Sequence, residues 1–243
     1  MTLLQVESVS KSYGGVAALR DVSFTVDAGS MLGIMGANGA GKTTLFSLIA
    51  GNVRPTSGLI VFDGRRVSGL NADRVSRAGI ARTYQIVRPL KGLTVSENVT
   101  TAALFGANPA ASRSAASKRA AAILEQLGLS QFGDEPAGAI TLSAQKKLEV
   151  AKALATGPRL LLLDEVMAGL TPTEVQSMLD IIRGIKAEYR LTVLVIEHVM
   201  RALMALSERI VVLHHGEKIA EGPPAAVADD ANVQAAYLGR ADG

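Results

Sequence analysis

The sequence contains no cysteine, which excludes disulfides, thiolate metal sites and thiol redox chemistry. Long hydrophobic runs are missing as well. No apolar stretch approaches the roughly 20 residues of a membrane-spanning helix, and even Leu160-Leu161-Leu162-Leu163 is closed by Asp164 after one short strand. The N-terminal MTLLQVESVSKSYGG lacks the basic start, apolar core and small-residue cleavage site of a secretory signal, so a cytoplasmic chain is expected. Charge of one sign is scarce: 25 Lys and Arg stand against 22 Asp and Glu, and the basic residues are scattered, which argues against a nucleic-acid partner. No internal repeat is evident, and the one compositionally biased stretch is the Ala- and Ser-rich segment 107–122.

What is present is 243 residues, 48% of them hydrophobic, enough to bury a substantial core and too apolar for disorder. Short apolar runs at 31–35, 160–163, 192–196 and 210–213 lack polar alternation, the pattern of parallel strands buried on both faces and therefore covered by helices. Val175, Met178, Leu179, Ile182 and Ile185 repeat at helical spacing behind Thr171-Pro172-Thr173-Glu174, which offers an N-cap, a first-turn proline and a capping-box glutamate. An α/β fold with a mostly parallel sheet follows. Residues 3–26 read instead as an antiparallel β extension. Residues 94–157 read as helical: Thr94 and Glu97 form a second capping box, a helix over 114–127 ends at Gly128, and another ends at Gly157-Pro158. A helical insert in one core is expected.

Gly36-Ala37-Asn38-Gly39-Ala40-Gly41-Lys42-Thr43 matches G-x-x-x-x-G-K-[ST] in full, behind the buried strand 31–35 and ahead of a helix with Leu45, Leu48 and Ile49 inward. Backbone amides of such a loop surround phosphate oxygens, Lys42 reaches the outer phosphates and the Thr43 hydroxyl ligates Mg²⁺. Thr44 completes the nucleotide-binding set. A second strand ends in Asp164-Glu165, at the carboxyl edge where ligands of such sheets bind. Asp164 suits Mg²⁺, and Glu165 suits the attacking water, a role worth on the order of 10²–10⁴ in rate. A strand-end acid pair alone would more simply cap a helix; beside a phosphate loop it reads as catalytic.

Further residues make the chain resemble the ABC transporter ATPases, with a phosphate-loop core. Tyr13-Gly14 precedes the loop, Gln85 follows it in Arg82-Thr83-Tyr84-Gln85, and His198 closes LTVLVIEH. The resemblance implies that Tyr13 stacks on adenine, that Gln85 links the γ-phosphate and metal to a membrane contact, and that His198 grips the γ-phosphate. It divides the chain into an ATP-binding core with a β-subdomain, 1–85 and 158–243, and a helical subdomain, 86–157. Within the family, Ala81-Arg82-Thr83-Tyr84-Gln85, Leu93-Thr94-Val95-Ser96-Glu97-Asn98, Met167-Ala168-Gly169-Leu170 and the terminal Ala236-Tyr237-Leu238-Gly239 are similar to the ATPases of branched-chain and hydrophobic amino acid importers. ATP and Mg²⁺ are the implied cofactors. The implied partners are transmembrane permease subunits, a second ATPase subunit in a head-to-tail dimer and, indirectly, a solute-binding protein, with the chain held at the cytoplasmic face of the plasma membrane.

The family signature LSGGQ is replaced. Counting back from Asp164 puts its register on Ile140-Thr141-Leu142-Ser143-Ala144, so that Thr141 supplies the hydroxyl and Ser143 stands for the second glycine, with a helix starting near Ser143. Its amides would face the nucleotide held by the other subunit. Lys146 and Lys147 would oppose the helix dipole at a cost of about 0.3–1 kcal/mol, either solvated or drawn to phosphate, and stay outside the site. Thr171 stands where most of the family has an aspartate, and Val166 where it has a proline. A lipopolysaccharide or lipid exporter ATPase is the alternative within transport, and an ATPase acting on ribosomes, DNA or iron–sulfur assembly lies outside it. This chain has neither the charged linker nor the coiled coils usual in the last class.

Overall fold

The computed structural model describes residues 1–85, 87 and 89–238. In chain order the elements are β1 (Thr2–Tyr13), β2 (Val16–Asp27), β3 (Met31–Met35), α1 (Lys42–Ile49), β4 (Ser57–Phe62), β5 (Arg65–Arg66), α2 (Ala72–Ala78) and β6 (Ile80–Arg82). They continue with α3 (Val95–Ala103), α4 (Arg113–Gln126), a 3₁₀ turn at Ser130–Phe132, α5 (Leu142–Ala155), β7 (Leu160–Asp164) and α6 (Pro172–Glu188). The last are β8 (Thr192–Ile196), α7 (Met200–Leu206), β9 (Arg209–His214), β10 (Glu217–Gly222), α8 (Pro224–Ala228) and α9 (Ala231–Leu238). No helix among the described residues is long and apolar enough to cross a membrane. The chain divides into two compact units, Met1–Ala72 with Thr192–Gly243, and Asp73–Leu191.

The first unit holds two sheets. One is antiparallel, ordered β2-β1-β4-β5, as the residues near the N-terminus predict. Leu4, Val6 and Val9 of β1 and Leu19, Val22, Phe24 and Val26 of β2 are buried. Each such side chain contributes about 1.5–3 kcal/mol. In the other sheet β3 runs parallel to both β8 and β9, and β10 adds antiparallel to β9. All five residues of β3 and all five of β8 are buried, which is why neither run alternates.

The second unit pairs β6 with β7 in parallel, Ile80 opposite Leu160 and Arg82 opposite Leu162. Helices α3, α4 and α5 pack on one another. Both arms of the first capping box are present: Glu97 N–H donates to Thr94 Oγ1 at 3.1 Å, and Thr94 N–H to Glu97 Oε2 at 2.9 Å. One turn on, the buried Asn98 amide binds the Leu90 carbonyl at 3.1 Å and the Leu90 N–H at 2.8 Å, which ties the preceding loop to α3. Thr171, Pro172 and Glu174 start α6 as their sequence predicts. The expected 114–127 helix starts one residue earlier, because Ser112 caps it through the Ala115 amide.

Candidate functional site

In the first unit the chain leaves β3 at Met35, turns, and enters α1 at Lys42. The turn needs its glycines. A Cβ on Gly36 would lie 2.6 Å from the Leu213 carbonyl oxygen, and Gly41, at φ 102°, would press one to 2.6 Å from Ala18 O. Gly41 caps α1 without a side-chain bond, so the first-turn amides have no acceptor within the helix. Lys42 is buried, and its ammonium donates to Gly36 O at 2.7 Å and Ala37 O at 3.0 Å. The loop thus collects amide donors and a cation around a turn whose outer residues, Ala37, Asn38, Gly39 and Thr43, are exposed, with Ala40 buried and Thr44 between. That donor set is what a phosphate chain requires.

Tyr13, the last residue of β1, is 47% exposed, with Lys11 Nζ 4.8 Å from its ring centroid. It is not a core residue. His198 follows β8 in a bend and is exposed too.

In the second unit β7 delivers Asp164 and Glu165, both buried. Asp164 Oδ2 accepts from Arg82 Nη2 at 2.7 Å, and the Asp164 amide donates to Thr83 Oγ1 at 3.0 Å. Asp164 Oδ1 is buried with no hydrogen-bond partner. A carboxylate oxygen left bare in the interior is costly, so a cation is the natural occupant of its free face. No cluster of three or more His, Cys, Asp or Glu among the described residues could hold a metal by itself. One carboxylate oxygen therefore fits Mg²⁺, which is commonly held by one or two carboxylates together with phosphate oxygens.

Glu165 has a left-handed backbone, φ 51°, a conformation costing a non-glycine residue about 1–3 kcal/mol and concentrated at functional sites. Its Oε2 accepts from Gln85 Nε2 at 2.5 Å. The structure therefore brings Gln85 and Glu165, distant in sequence, into direct contact.

Helix α5 begins at Leu142, one residue before the expected start, because Thr141 is its N-cap: Thr141 Oγ1 accepts from the Ala144 amide at 3.3 Å. This uses an oxygen lone pair and leaves the hydroxyl proton to donate elsewhere. Ser143, in the first turn of α5, is one of the groups that lower the pKa of the Glu174 carboxyl at the start of α6. Thr171 N–H chiefly, then the Thr171 hydroxyl, hold that carboxyl below its ordinary pKa, with burial opposing and Ser143 and Lys147 adding to the effect. Thr171 thus serves as the cap of α6, and Val166 is buried.

The solvated reading of Lys146 does not hold. The residue is 4% exposed and donates to the carbonyls of Gln85 at 2.8 Å and Glu165 at 3.0 Å. Sequence reasoning passed over it and Arg82. The signal for Lys146 was its place on the apolar face of α5, four, seven and eight residues before the buried Val150, Ala153 and Leu154. For Arg82 it was a charge ending the otherwise apolar β6. Gly239, last of the terminal string, lies outside the described residues.

An α/β fold with a complete phosphate loop and a strand ending in paired acids defines a P-loop nucleoside triphosphatase. The family described as ABC transporter matches residues 19–168, and that described as branched-chain amino acid ATP-binding cassette transporter matches residues 217–243. The chain is 37% identical over 251 residues to the high-affinity branched-chain amino acid transport ATP-binding protein BraF of Pseudomonas aeruginosa, covering 98% of each. It is 34% identical to LivG of Escherichia coli K12, a protein of the same description, and 33% identical to the lipopolysaccharide export system ATP-binding protein LptB of Haemophilus influenzae, again with 98% of each chain covered. Among solved structures it resembles the ADP conformation of MJ1267, an ATP-binding cassette of an ABC transporter, with a TM-score of 0.87 and 30% identity over 98% of this chain and 99% of that one. It also resembles the dimeric MJ0796 cassette bound to ADP and Pi, with a TM-score of 0.83 and 26% identity over 91% of this chain and 99% of that one. The chain belongs to the ABC transporter family, as an ATP-hydrolysing, ATP-binding subunit.

Proposed function

We propose that this chain energises the import of branched-chain or other hydrophobic amino acids. The observation that carries this reading is near-full-length similarity to BraF together with the match of residues 217–243 to the branched-chain cassette family. In this reading residues 1–85 and 158–243 form the ATP-binding core and 86–157 the helical subdomain that carries the signature. Tyr13 stacks on adenine through its exposed face. Gly36 to Thr44 hold the phosphates, with the Lys42 ammonium leaving its own loop carbonyls for the β and γ oxygens. Thr43, Gln85 and Asp164 hold Mg²⁺, with Asp164 Oδ1 as the bare buried oxygen awaiting it. When bound, the ion neutralises charge developing on the phosphate oxygens. Glu165 accepts hydrogen from the attacking water, Gln85 fixes the carboxylate that does so, and His198 contacts the γ-phosphate.

Thr141 and the Leu142 and Ser143 amides face the nucleotide of a second ATPase subunit, identical or paralogous, so hydrolysis requires a closed head-to-tail dimer. The segment from Gln85 to Asn98 passes the motion to transmembrane permease subunits, which hold the chain at the cytoplasmic face of the plasma membrane and receive solute from a binding protein. The test is affinity purification from native membranes followed by ATPase assay of the complex. Co-purifying permease subunits and stimulation by leucine-loaded binding protein support the importer. Similarity to LptB gives a lipid exporter as the second reading, which predicts stimulation by lipopolysaccharide instead.

A further inference from the structure

Lys146 is a buried lysine, and burying an ammonium is costly unless hydrogen bonds satisfy it. It donates to two main-chain carbonyls, those of Gln85 at 2.8 Å and Glu165 at 3.0 Å. These two residues also meet through their side chains, Gln85 Nε2 to Glu165 Oε2 at 2.5 Å. A closed ring results: one ammonium grips both backbones while the side chains grip each other. Glu165 further carries the left-handed φ of 51°, which its surroundings must hold against relaxation. Hydrogen bonds from charged donors are the stronger class, which suits them to hold such a strained backbone. Lys146 lies in the second turn of α5, whose N-cap is Thr141.

We infer that Lys146 is a positioning residue for hydrolysis: it fixes the Gln85 and Glu165 backbones so that the Glu165 carboxylate is aimed, and it joins that aim to the helix bearing the signature. This rests on the reading of Glu165 as the base that orients water. A shift of the signature helix on dimer closure then moves the ammonium, and with it the two carbonyls and the carboxylate. A structural lysine would act on stability alone. A positioning lysine acts on turnover at saturating ATP.

The test compares Lys146→Met, which keeps much of the length and loses the charge, with Lys146→Arg, which keeps two donors. Each is measured for melting temperature, ATP affinity, kcat, KM and ATP-dependent dimer on size exclusion, with Glu165→Gln alongside. Misplacing a catalytic group by about 1 Å costs about 100-fold in rate. We expect Lys146→Met to lose about 100-fold in kcat, to change ATP affinity less than threefold and to accumulate the ATP-bound dimer as Glu165→Gln does. Lys146→Arg should recover most of the turnover. Should Lys146→Met not fold, Lys146→Gln is measured in its place, with the same direction expected. A kcat within twofold of wild type overturns the proposal. So does a variant that loses stability and ATP affinity together without trapping the dimer. If Glu165→Gln itself turns over normally, the base assignment falls and this inference falls with it; if Glu165→Gln traps the dimer and the Lys146 variant does not, only the inference falls.

Discussion

Arg82 Nη2 lies 2.7 Å from Asp164 Oδ2, and both side chains are buried, while the second oxygen of the same carboxylate meets no donor. The guanidinium fixes one half of Asp164 and leaves the other half for a cation. Removing one partner of a buried pair strands the other charge, at a cost of about 3–5 kcal/mol. Arg82→Met should therefore lower stability by about that amount in urea denaturation. A loss under about 1 kcal/mol would mean the pair is not held in the folded chain in solution.

Tyr13 is 47% exposed and so is not a core residue, and the proposed function places its ring on adenine. Tyr13→Ala should raise KM for ATP several-fold with a smaller change in kcat, because adenine stacking acts before the γ-phosphate is reached. Tyr13→Phe should be mild. Unchanged ATP affinity in the alanine variant, measured by calorimetry, would remove Tyr13 from the nucleotide site.

Thr141 and Ser143 both carry hydroxyls at the start of α5, and the structure gives them different work. Thr141 caps the helix and retains a donor proton, whereas Ser143 lies in the first turn of α5 and helps to lower the Glu174 pKa. Thr141→Ala should reduce kcat while leaving ATP binding by the monomer intact, apart from a cap loss of about 1 kcal/mol in stability. Ser143→Gly should keep near-normal turnover. The reverse order of effects in a steady-state ATPase assay would shift the signature register by two residues.

The Glu174 carboxyl is lowered from 4.5, first by the Thr171 amide, then by the Thr171 hydroxyl. A carboxyl with a depressed folded pKa contributes stability that is complete above its unfolded value and is lost as pH falls through the folded one. The denaturation midpoint of the wild type should therefore drop as pH falls below about 4.5, and Glu174→Gln should show a shallower drop. The group is partly exposed, so the difference should shrink in high salt. Parallel pH curves for the two proteins would contradict this.

Much of this was legible in sequence where the information is local. The phosphate loop is a contiguous string that must close on itself between one strand and one helix, and the capping boxes at Thr94 and Thr171 bond residues three apart. The helix expected to start near Ser143 starts one residue earlier, at Leu142, because the Thr141 hydroxyl caps it. What stayed hidden depends on distant partners. Lys146 meets Gln85 across 61 positions, and Arg82 meets Asp164 across 82, so whether either cation is buried or solvated is decided by packing that no window of sequence contains. The bare oxygen of Asp164 and the left-handed backbone of Glu165 likewise exist only in the folded chain.

The central claim is that the phosphate loop binds ATP and that Glu165 is needed to hydrolyse it. The most direct measurement is size-exclusion chromatography of Glu165→Gln with ATP and Mg²⁺, with bound nucleotide quantified and Lys42→Ala as the control. The account predicts a dimer carrying about one ATP per subunit and turnover reduced by about 10²–10⁴, with neither dimer nor bound nucleotide in Lys42→Ala. A monomeric Glu165→Gln that hydrolyses ATP at the wild-type rate would contradict it.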